Sequence, residues 1–243
     1  MGALLFNVTT AGLMVLMFKA GQVLVERDAI GWRRLPWAAA GLTAVALAGV
    51  VTQLCWHGAM AALDADPDKT GWWRVVTSVF MQNGGVAGAS WNIVTLAVIA
   101  ALAERVWNGP LTVVLFAAGA LLPRYVDALF GATSGSTDPR DFAGSSGATY
   151  FLGATLAGVL LLRGHAVKER LLAAGVPVFG LALWFAQGNG HGLVAAYGFA
   201  LGLLVRGPAR LVARPQHGRR RLRRGPRPED ADSPHLRDQP QNS

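Results

Sequence analysis

The chain has 243 residues, of which 52% are hydrophobic and only 15% are charged, and its net charge is +8. Charged residues average about 25% of soluble domains, so this composition argues against an ordinary soluble enzyme. The single cysteine, Cys55, excludes an intrachain disulfide and a cysteine metal cluster. Thirty glycines in so apolar a chain are typical of closely packed transmembrane helices.

The first apolar segment, roughly residues 3–25, is interrupted by Asn7 and Lys19. It is either an additional span, with the lysine reaching toward the interface, or a helix that lies in the interface. It lacks the basic start of a secretory signal peptide, so we expect no cleavage. We therefore assign residues 1–34 to an N-terminal helix followed by a basic loop.

Six clearer apolar segments follow, and each is long enough to cross about 30 Å of hydrocarbon. They cover roughly residues 35–56, 84–106, 110–128, 146–163, 170–187 and 190–206. The sequence thus predicts an all-α membrane protein with a six-helix membrane domain over residues 35–206, with or without one extra N-terminal span.

Loop charges predict the orientation of these segments. Basic residues gather at alternating ends of the segments, namely Arg33, Arg34, Arg105, Arg163, Lys168, Arg170, Arg206, Arg210 and Arg214. Loop 57–72 instead carries Asp64, Asp66 and Asp68. Because positive loops stay inside, we expect a multi-pass protein of the cell membrane with a cytoplasmic C-terminus. Loop 129–145 and the turn near Gly188 then lie outside.

Residues 207–243 form a basic tail with few large apolar side chains and the run Arg219-Arg220-Arg221-Leu222-Arg223-Arg224. Such a segment cannot bury a core and is predicted to be disordered. Its basic residues favour anionic lipid, at about 1 kcal/mol for each one near the surface. We expect no nucleic-acid partner, because the tail has no aromatic platform.

Ser146 and His191 stand at the starts of the fourth and sixth clear segments. Small residues follow both at offsets of seven and eleven positions: Gly153 and Ala157 after Ser146, and Gly198 and Gly202 after His191. These offsets return to within roughly 20° of the starting direction on a helix. Each polar residue therefore begins a stripe of small side chains, which lets helices approach closely in a membrane.

A serine and a histidine at one depth are two parts of a nucleophilic hydrolase. No carboxylate lies at a comparable depth, so the pair predicts a Ser-His dyad. The other candidate nucleophiles, Ser145, Ser134 and Ser136, do not combine a Gly-x-Ser-Gly frame with the start of such a stripe.

The sequence resembles the rhomboid family of intramembrane serine proteases over about residues 35–206. The matching motifs, in chain order, are Trp73-Arg74 with Thr77 and Phe80, Asn92, Glu104 with Gly109, Gly144-Ser145-Ser146-Gly147, and His191 with Gly198. The Glu104–Gly109 spacing is one residue longer than the family's Glu-x-x-x-Gly element. Val194 stands where the family has a nearer glycine.

The resemblance implies a rhomboid-like bundle of six transmembrane helices that cleaves single-span membrane proteins near their outer ends. Ser146 would be the nucleophile and His191 the general base. Asn92 would donate to the oxyanion, helped by backbone amides near Ser146. The resemblance implies neither a cofactor nor a metal.

One departure affects the oxyanion site. The family usually has a histidine four residues before the asparagine, and this position is Gly88 here. The preceding stretch, Gln82-Asn83-Gly84-Gly85, is one residue longer than the family pattern. Gln82 or Asn83 would then be the candidates for a replacement amide donor.

Two other functions stay open at this point. The missing histidine favours a catalytically inactive rhomboid-like protein that binds transmembrane clients. An unrelated small transporter or scaffold would show broken helices, for which Pro177 is the one hint.

Some motif residues also have simpler explanations. Trp73 and Arg74 suit either interfacial anchoring or a specific loop role. Trp107 is predicted to be an interface anchor, and Glu104 to pair with a nearby basic group such as Arg105.

Overall fold

A computed structural model describes residues 2–27, 35–66, 69–129 and 143–212. Within these ranges every regular element is helical: α1 Gly2–Arg27, α2 Trp37–Cys55, α3 Ala59–Leu63, α4 Arg74–Thr77 with a 3-10 turn Ser78–Phe80, α5 Gly85–Trp107, α6 Gly109–Leu129, α7 Ser146–Arg163, α8 Val167–Gln187 and α9 Gly190–Val212. The predictions for Arg33, Arg34, Asp68, Ser134, Ser136 and the tail beyond residue 212 lie outside the described residues.

Five of the described helices, α1, α2, α5, α7 and α8, are long and apolar enough to cross a membrane. Helices α6 and α9 contribute shorter apolar stretches, Gly109–Leu122 and Gly190–Val205. The all-α class is confirmed, and the helices coincide with the predicted segments to within a few residues at most ends. This composition indicates a membrane protein.

Helix α1 packs against α7 along its length. Thr10 contacts Tyr150, and Met17 lies against Gly153. A side chain on Gly21, one turn further on, would meet Leu156. Because both residue numbers rise together, α1 and α7 run in the same direction. This lengthwise packing favours the extra span over an interfacial helix for the N-terminal segment.

Helix α7 is the centre of the bundle. Every residue from Ala148 to Leu160 is buried, and α1, α5, α6, α8 and α9 all pack against it. A helix that is apolar on all sides belongs in such a central position. Ser146, at the start of this helix, is therefore held by the most constrained element of the fold.

The glycine stripe after His191 is confirmed as a close contact between α9 and α7. A Cβ atom at Gly198 would collide with the carbonyl of Phe151, and one at Gly202 would collide with that of Thr155. The contacts advance four residues on each helix, so α7 and α9 are parallel. Their N-termini thus lie at the same end of the bundle.

The predicted stripe on α7 faces α1 at Gly153 and not α9. Gly153 faces Met17 of α1, whose Sδ lies 3.1 Å from the position of an added Cβ. The residue of α7 whose Cβ would meet the α9 backbone is Gly158, against Phe199. Periodicity identifies a face of small residues but does not say which neighbour that face meets.

Two motif residues join the α5–α6 corner to the start of α2. The Oε2 atom of Glu104 accepts a hydrogen bond from the backbone N–H of Ala39 at 3.0 Å. This N–H belongs to the first turn of α2 and has no acceptor within its own helix. Gly109 leaves room for the indole of Trp37. The contact seen for Glu104 is thus with a helix N-terminus, and its pairing with a basic side chain stays a prediction.

Two further sequence expectations fail in the structure. Trp107 is 2% exposed and donates its indole N–H to Thr155 Oγ1 at 3.0 Å, so it is an interhelical contact and not an interface anchor. Pro177 lies inside α8, which continues without a break from Val167 to Gln187. The one hint of a broken helix therefore disappears.

Arg74 has a specific loop role. Its guanidinium donates to the carbonyls of Thr70 and Ala61 at 3.0 and 3.2 Å, and lies 3.6 Å from an Asp64 carboxylate oxygen. It also stacks over the Trp73 ring at 4.8 Å from the ring centroid. These contacts fold the segment between α2 and α5 onto itself. Trp73 is partly exposed beside it, which remains compatible with anchoring.

Candidate active site

Ser146 and His191 meet at one end of the bundle. The Nε2 atom of His191 lies 3.1 Å from Oγ of Ser146. Ser146 is the first residue of α7 and His191 the second residue of α9. The close parallel packing of these two helices sets the distance. It falls in the range over which a histidine removes a proton from a hydroxyl.

Both side chains of the pair are partly exposed, so the pair is open to small reagents. Gly147, next to the serine, has no atom within 4 Å of the position where a Cβ would stand. Gly144 adopts φ +128°, which favours glycine, and its N–H donates to Ser78 O at 2.9 Å. Gly144 thus shapes the turn that leads into α7, and Gly147 leaves space beside the Ser146 hydroxyl.

His191 has two neighbours that were not predicted from the sequence. The ring of Tyr150 lies against His191, with centroids 4.7 Å apart and planes tilted by 59°. The side chain of Asn189 contacts the other ring nitrogen, Nδ1, at 3.1 Å. The signals were available: Tyr150 lies one helical turn after Ser146, and an asparagine just before a helix is a typical N-cap.

Asn92 is connected to the nucleophile's neighbour through Gln82. Asn92 Nδ2 donates to Gln82 Oε1 at 2.9 Å, and Gln82 Nε2 donates to Ser145 Oγ at 3.2 Å. The backbone of Gln82 is itself held on both sides by the side chain of Gln53, at 2.9 and 3.0 Å. A row of amides therefore runs from α5 to the residue before Ser146.

Ser145 is a poor rival to Ser146 as the nucleophile. Its side chain is fully buried, and its hydroxyl is engaged by Gln82. The remaining rivals, Ser134 and Ser136, lie outside the described residues.

The structure explains the glycine at position 88. A Cβ at Gly88 would stand 2.7 Å from the carbonyl oxygen of Asn83, closer than real Cβ contacts. The longer stretch that precedes α5 therefore occupies the space into which a side chain at 88 would extend. The absence of a side chain at position 88 and the course of the preceding stretch are one structural feature, and Gln82 lies in the same neighbourhood through its bond to Asn92.

The described residues contain no group of three or more His, Cys, Asp or Glu side chains that could hold a metal ion. The side chains in contact with the pair include the amide of Asn189 and the aromatic ring of Tyr150. The pair itself supplies a hydroxyl and an imidazole, which are the groups that nucleophilic attack and proton transfer require.

No protein-family model matches the chain, and neither curated proteins nor solved structures give a match.

Proposed function

We propose that this protein is an intramembrane serine endopeptidase, rhomboid-like in its motifs, that cleaves single-span membrane proteins. The observation that carries the proposal is the 3.1 Å contact between His191 Nε2 and Ser146 Oγ at the ends of two apolar helices. A histidine and a serine at this distance are the minimum that acyl transfer needs.

The reaction would follow the usual two stages. His191 Nε2 takes the hydroxyl proton while Ser146 Oγ attacks the scissile carbonyl carbon, whose π electrons move to oxygen. The tetrahedral intermediate collapses, the C–N bond breaks, and His191 returns the proton to the leaving amine. Water, deprotonated by the same histidine, then attacks the acyl carbon, and the histidine returns that proton to Ser146 Oγ as the ester C–O bond breaks.

The oxyanion would be bound at the N-terminus of α7. The first N–H groups of a helix have no acceptor within that helix and lie at its positive end. Gln82, which is hydrogen-bonded to Ser145, and Asn92, which is hydrogen-bonded to Gln82, would add side-chain amides. A single oxyanion donor contributes about 2.7–4 kcal/mol in well-studied hydrolases.

The site would lie near the outer face of the cell membrane. Ser146 and His191 begin helices that run toward the predicted basic, cytoplasmic ends, and the C-terminal tail follows the last of these. Single-span substrates would be cut near their outer ends, and the basic tail would bind anionic lipid.

A catalytically inactive, client-binding protein is the second candidate. The observation that favours it is the Asn92–Gln82 hydrogen bond at 2.9 Å. This bond uses the Gln82 carbonyl and one Asn92 N–H within the protein, which lowers the donor capacity left for an oxyanion.

A fluorophosphonate probe separates the two candidates. The purified protein in lipid vesicles is treated with the probe beside Ser146→Ala, His191→Ala and the control Ser90→Ala, which changes an exposed serine on α5. We expect labelling of the wild type and the control, and none of the other two. Labelling that persists in Ser146→Ala refutes the nucleophile, and an unlabelled wild type favours the inactive client-binding protein.

A further inference from the structure

The hydrogen bonds around His191 determine which of its ring nitrogens carries the proton. Asn189 Oδ1 lies 3.1 Å from the backbone N–H of His191 and 3.1 Å from its ring Nδ1. A backbone N–H only donates, so the Asn189 atom that faces it must be the oxygen and not the amide nitrogen. That oxygen only accepts, and the neighbouring Nδ1 must therefore be the donor.

The neutral ring then presents the lone pair of Nε2 to Ser146. With Nδ1 protonated, Nε2 is the acceptor, and it lies 3.1 Å from the Ser146 hydroxyl. This is the tautomer that a general base needs. A ring of the opposite tautomer would direct an N–H at the nucleophile and could not accept its proton.

The orientation of Asn189 is fixed independently from its other end. Its Nδ2 donates to Thr10 Oγ1 at 2.7 Å, and the Thr10 hydroxyl donates in turn to the carbonyl of Phe6 at 2.6 Å. Asn189 is fully buried. Along the series Ser146, His191, Asn189, Thr10 and Phe6, a donor is thus directed at an acceptor at each step, and hydrogen bonds in such a series polarise one another.

A second contact joins the same turn of α1 to the base. The Tyr150 hydroxyl donates to the backbone carbonyl of Thr10 at 2.8 Å, while the Tyr150 ring lies against His191. The N-terminal helix therefore reaches the imidazole by two routes, through Asn189 and through Tyr150.

We propose that Asn189 is a positioning residue that fixes the tautomer and orientation of His191, and that Thr10 makes helix α1 a working part of the site. This inference rests on the proposed function, and it deepens that function from a dyad to a Ser-His-Asn arrangement anchored by the N-terminal helix. Partners that orient a histidine from its far nitrogen typically change activity about 10- to 100-fold when removed from metal sites.

Asn189 also caps α9, so the test must separate capping from ring orientation. Asn189→Ser keeps a hydroxyl that can accept the His191 backbone N–H, but it is too short to reach Nδ1 as well. Asn189→Asp keeps an acceptor for both. Thr10→Val removes the acceptor of the Asn189 amide. Thr9→Val is the control on the neighbouring residue, because the Thr9 hydroxyl bonds to Leu5, to Gln187 and to the same Phe6 carbonyl that Thr10 uses, whereas the contact with Asn189 is made by Thr10.

Two measurements are made on the full-length protein in vesicles: the second-order rate of reaction with the fluorophosphonate probe, and the nitrogen NMR spectrum of isotope-labelled histidine. The His191 signal is assigned by its loss in His191→Gln. We expect a single Nδ1-protonated tautomer in the wild type and in Asn189→Asp. Asn189→Ser should show a mixed tautomer and react about 10- to 100-fold more slowly. Thr10→Val should react several-fold more slowly than wild type, and Thr9→Val should react at the wild-type rate.

Two results would overturn the proposal. One is a wild-type rate and a single tautomer in Asn189→Ser. If Asn189→Ser does not fold, a wild-type rate and a single tautomer in Thr10→Val would overturn the proposal instead. If the wild type does not react with the probe, the proposed function fails, while the NMR tautomer still tests Asn189 by itself.

Discussion

Gly198 of α9 lies directly against the backbone carbonyl of Phe151 on α7, so that even a methyl group at position 198 would collide with it. This contact is two turns from His191 and one turn from Ser146. The separation of the two helices, and with it the distance between nucleophile and base, is therefore set by the absence of a side chain.

Gly198→Ala should both destabilise the protein and slow its reaction with the probe. Overpacking of a close contact costs about 1–3 kcal/mol, because backbone must move. Thermal unfolding in detergent measures the first effect and probe labelling the second. Gly175→Ala on α8 is the control, since no atom lies within 4 Å of its added Cβ. It should be neutral or stabilising by up to about 1 kcal/mol. Equal melting temperatures for the two variants would contradict the close contact.

A histidine introduced at position 88 should not improve this protein. In Gly88→His the new Cβ would stand 2.7 Å from the Asn83 carbonyl oxygen, so the segment before α5 must shift and carry Gln82 with it. We expect slower probe reaction and a lower melting temperature than for wild type. Ala87→His, one position earlier and exposed, tests whether an added imidazole by itself has these effects. Faster labelling of Gly88→His would show that position 88 can hold a histidine side chain and that Gln82 does not already perform its role.

Most of the helices followed from the sequence because about 20 apolar residues are a strong signal for a span. The close approach of another helix to the glycine face of α9 was also predictable, since glycine at a helical period marks close approach. Gly153 shows the limit of this reasoning: its stripe was recognised, but it faces Met17 of the extra helix. A period of small residues says nothing about which helix lies opposite.

The candidate site was predictable to a similar degree. Ser146 and His191 were identified from their matched positions, and their contact is present. The bond from Asn189 to Thr10 was not foreseen, because it joins residues 179 positions apart and depends on where α1 packs. Trp107 was misassigned because an indole suits both a membrane interface and a buried hydrogen bond, and only the neighbouring Thr155 decides between them.

Trp107 and Thr155 should be coupled in a double-mutant cycle. Trp107→Phe removes the indole N–H that donates to Thr155 Oγ1 at 3.0 Å, while most of the buried ring surface stays. We expect a loss of about 1 kcal/mol in the free energy of unfolding from the hydrogen bond, and a smaller loss when Thr155 is already valine. Trp72→Phe is the control, because Trp72 is 81% exposed. Strictly additive effects of Trp107→Phe and Thr155→Val would mean that the hydrogen bond contributes nothing.

Glu104 should stabilise the protein by capping the start of α2, and it should not affect the rate of reaction with the probe. Glu104→Ala removes the acceptor for the Ala39 N–H, and Pro36 before the helix has no side chain that caps it. Loss of a cap costs about 0.5–2 kcal/mol. Glu104→Gln keeps an acceptor oxygen without the charge, so its free energy of unfolding should lie between those of wild type and Glu104→Ala. Unfolding in detergent gives the stability, and the probe reaction of the folded fraction should match wild type. A large fall in that rate for Glu104→Gln would place the residue in the site after all.

Gln82 is where the proposed protease and the inactive alternative differ most clearly. Gln82→Glu is nearly the same size and still accepts from Asn92, but it has no N–H to offer to Ser145 or to an oxyanion. If Gln82 supplies the donor that position 88 lacks, the rate of probe reaction should fall about 10²-fold, as for other oxyanion donors. Gln22→Glu on α1, away from the site, controls for the added charge. The melting temperature of each variant, measured in parallel, separates a lost donor from a displaced loop. An unchanged rate with an unchanged melting temperature would leave Gln82 as a structural link between α5 and Ser145, and would assign oxyanion binding to the α7 amides and Asn92.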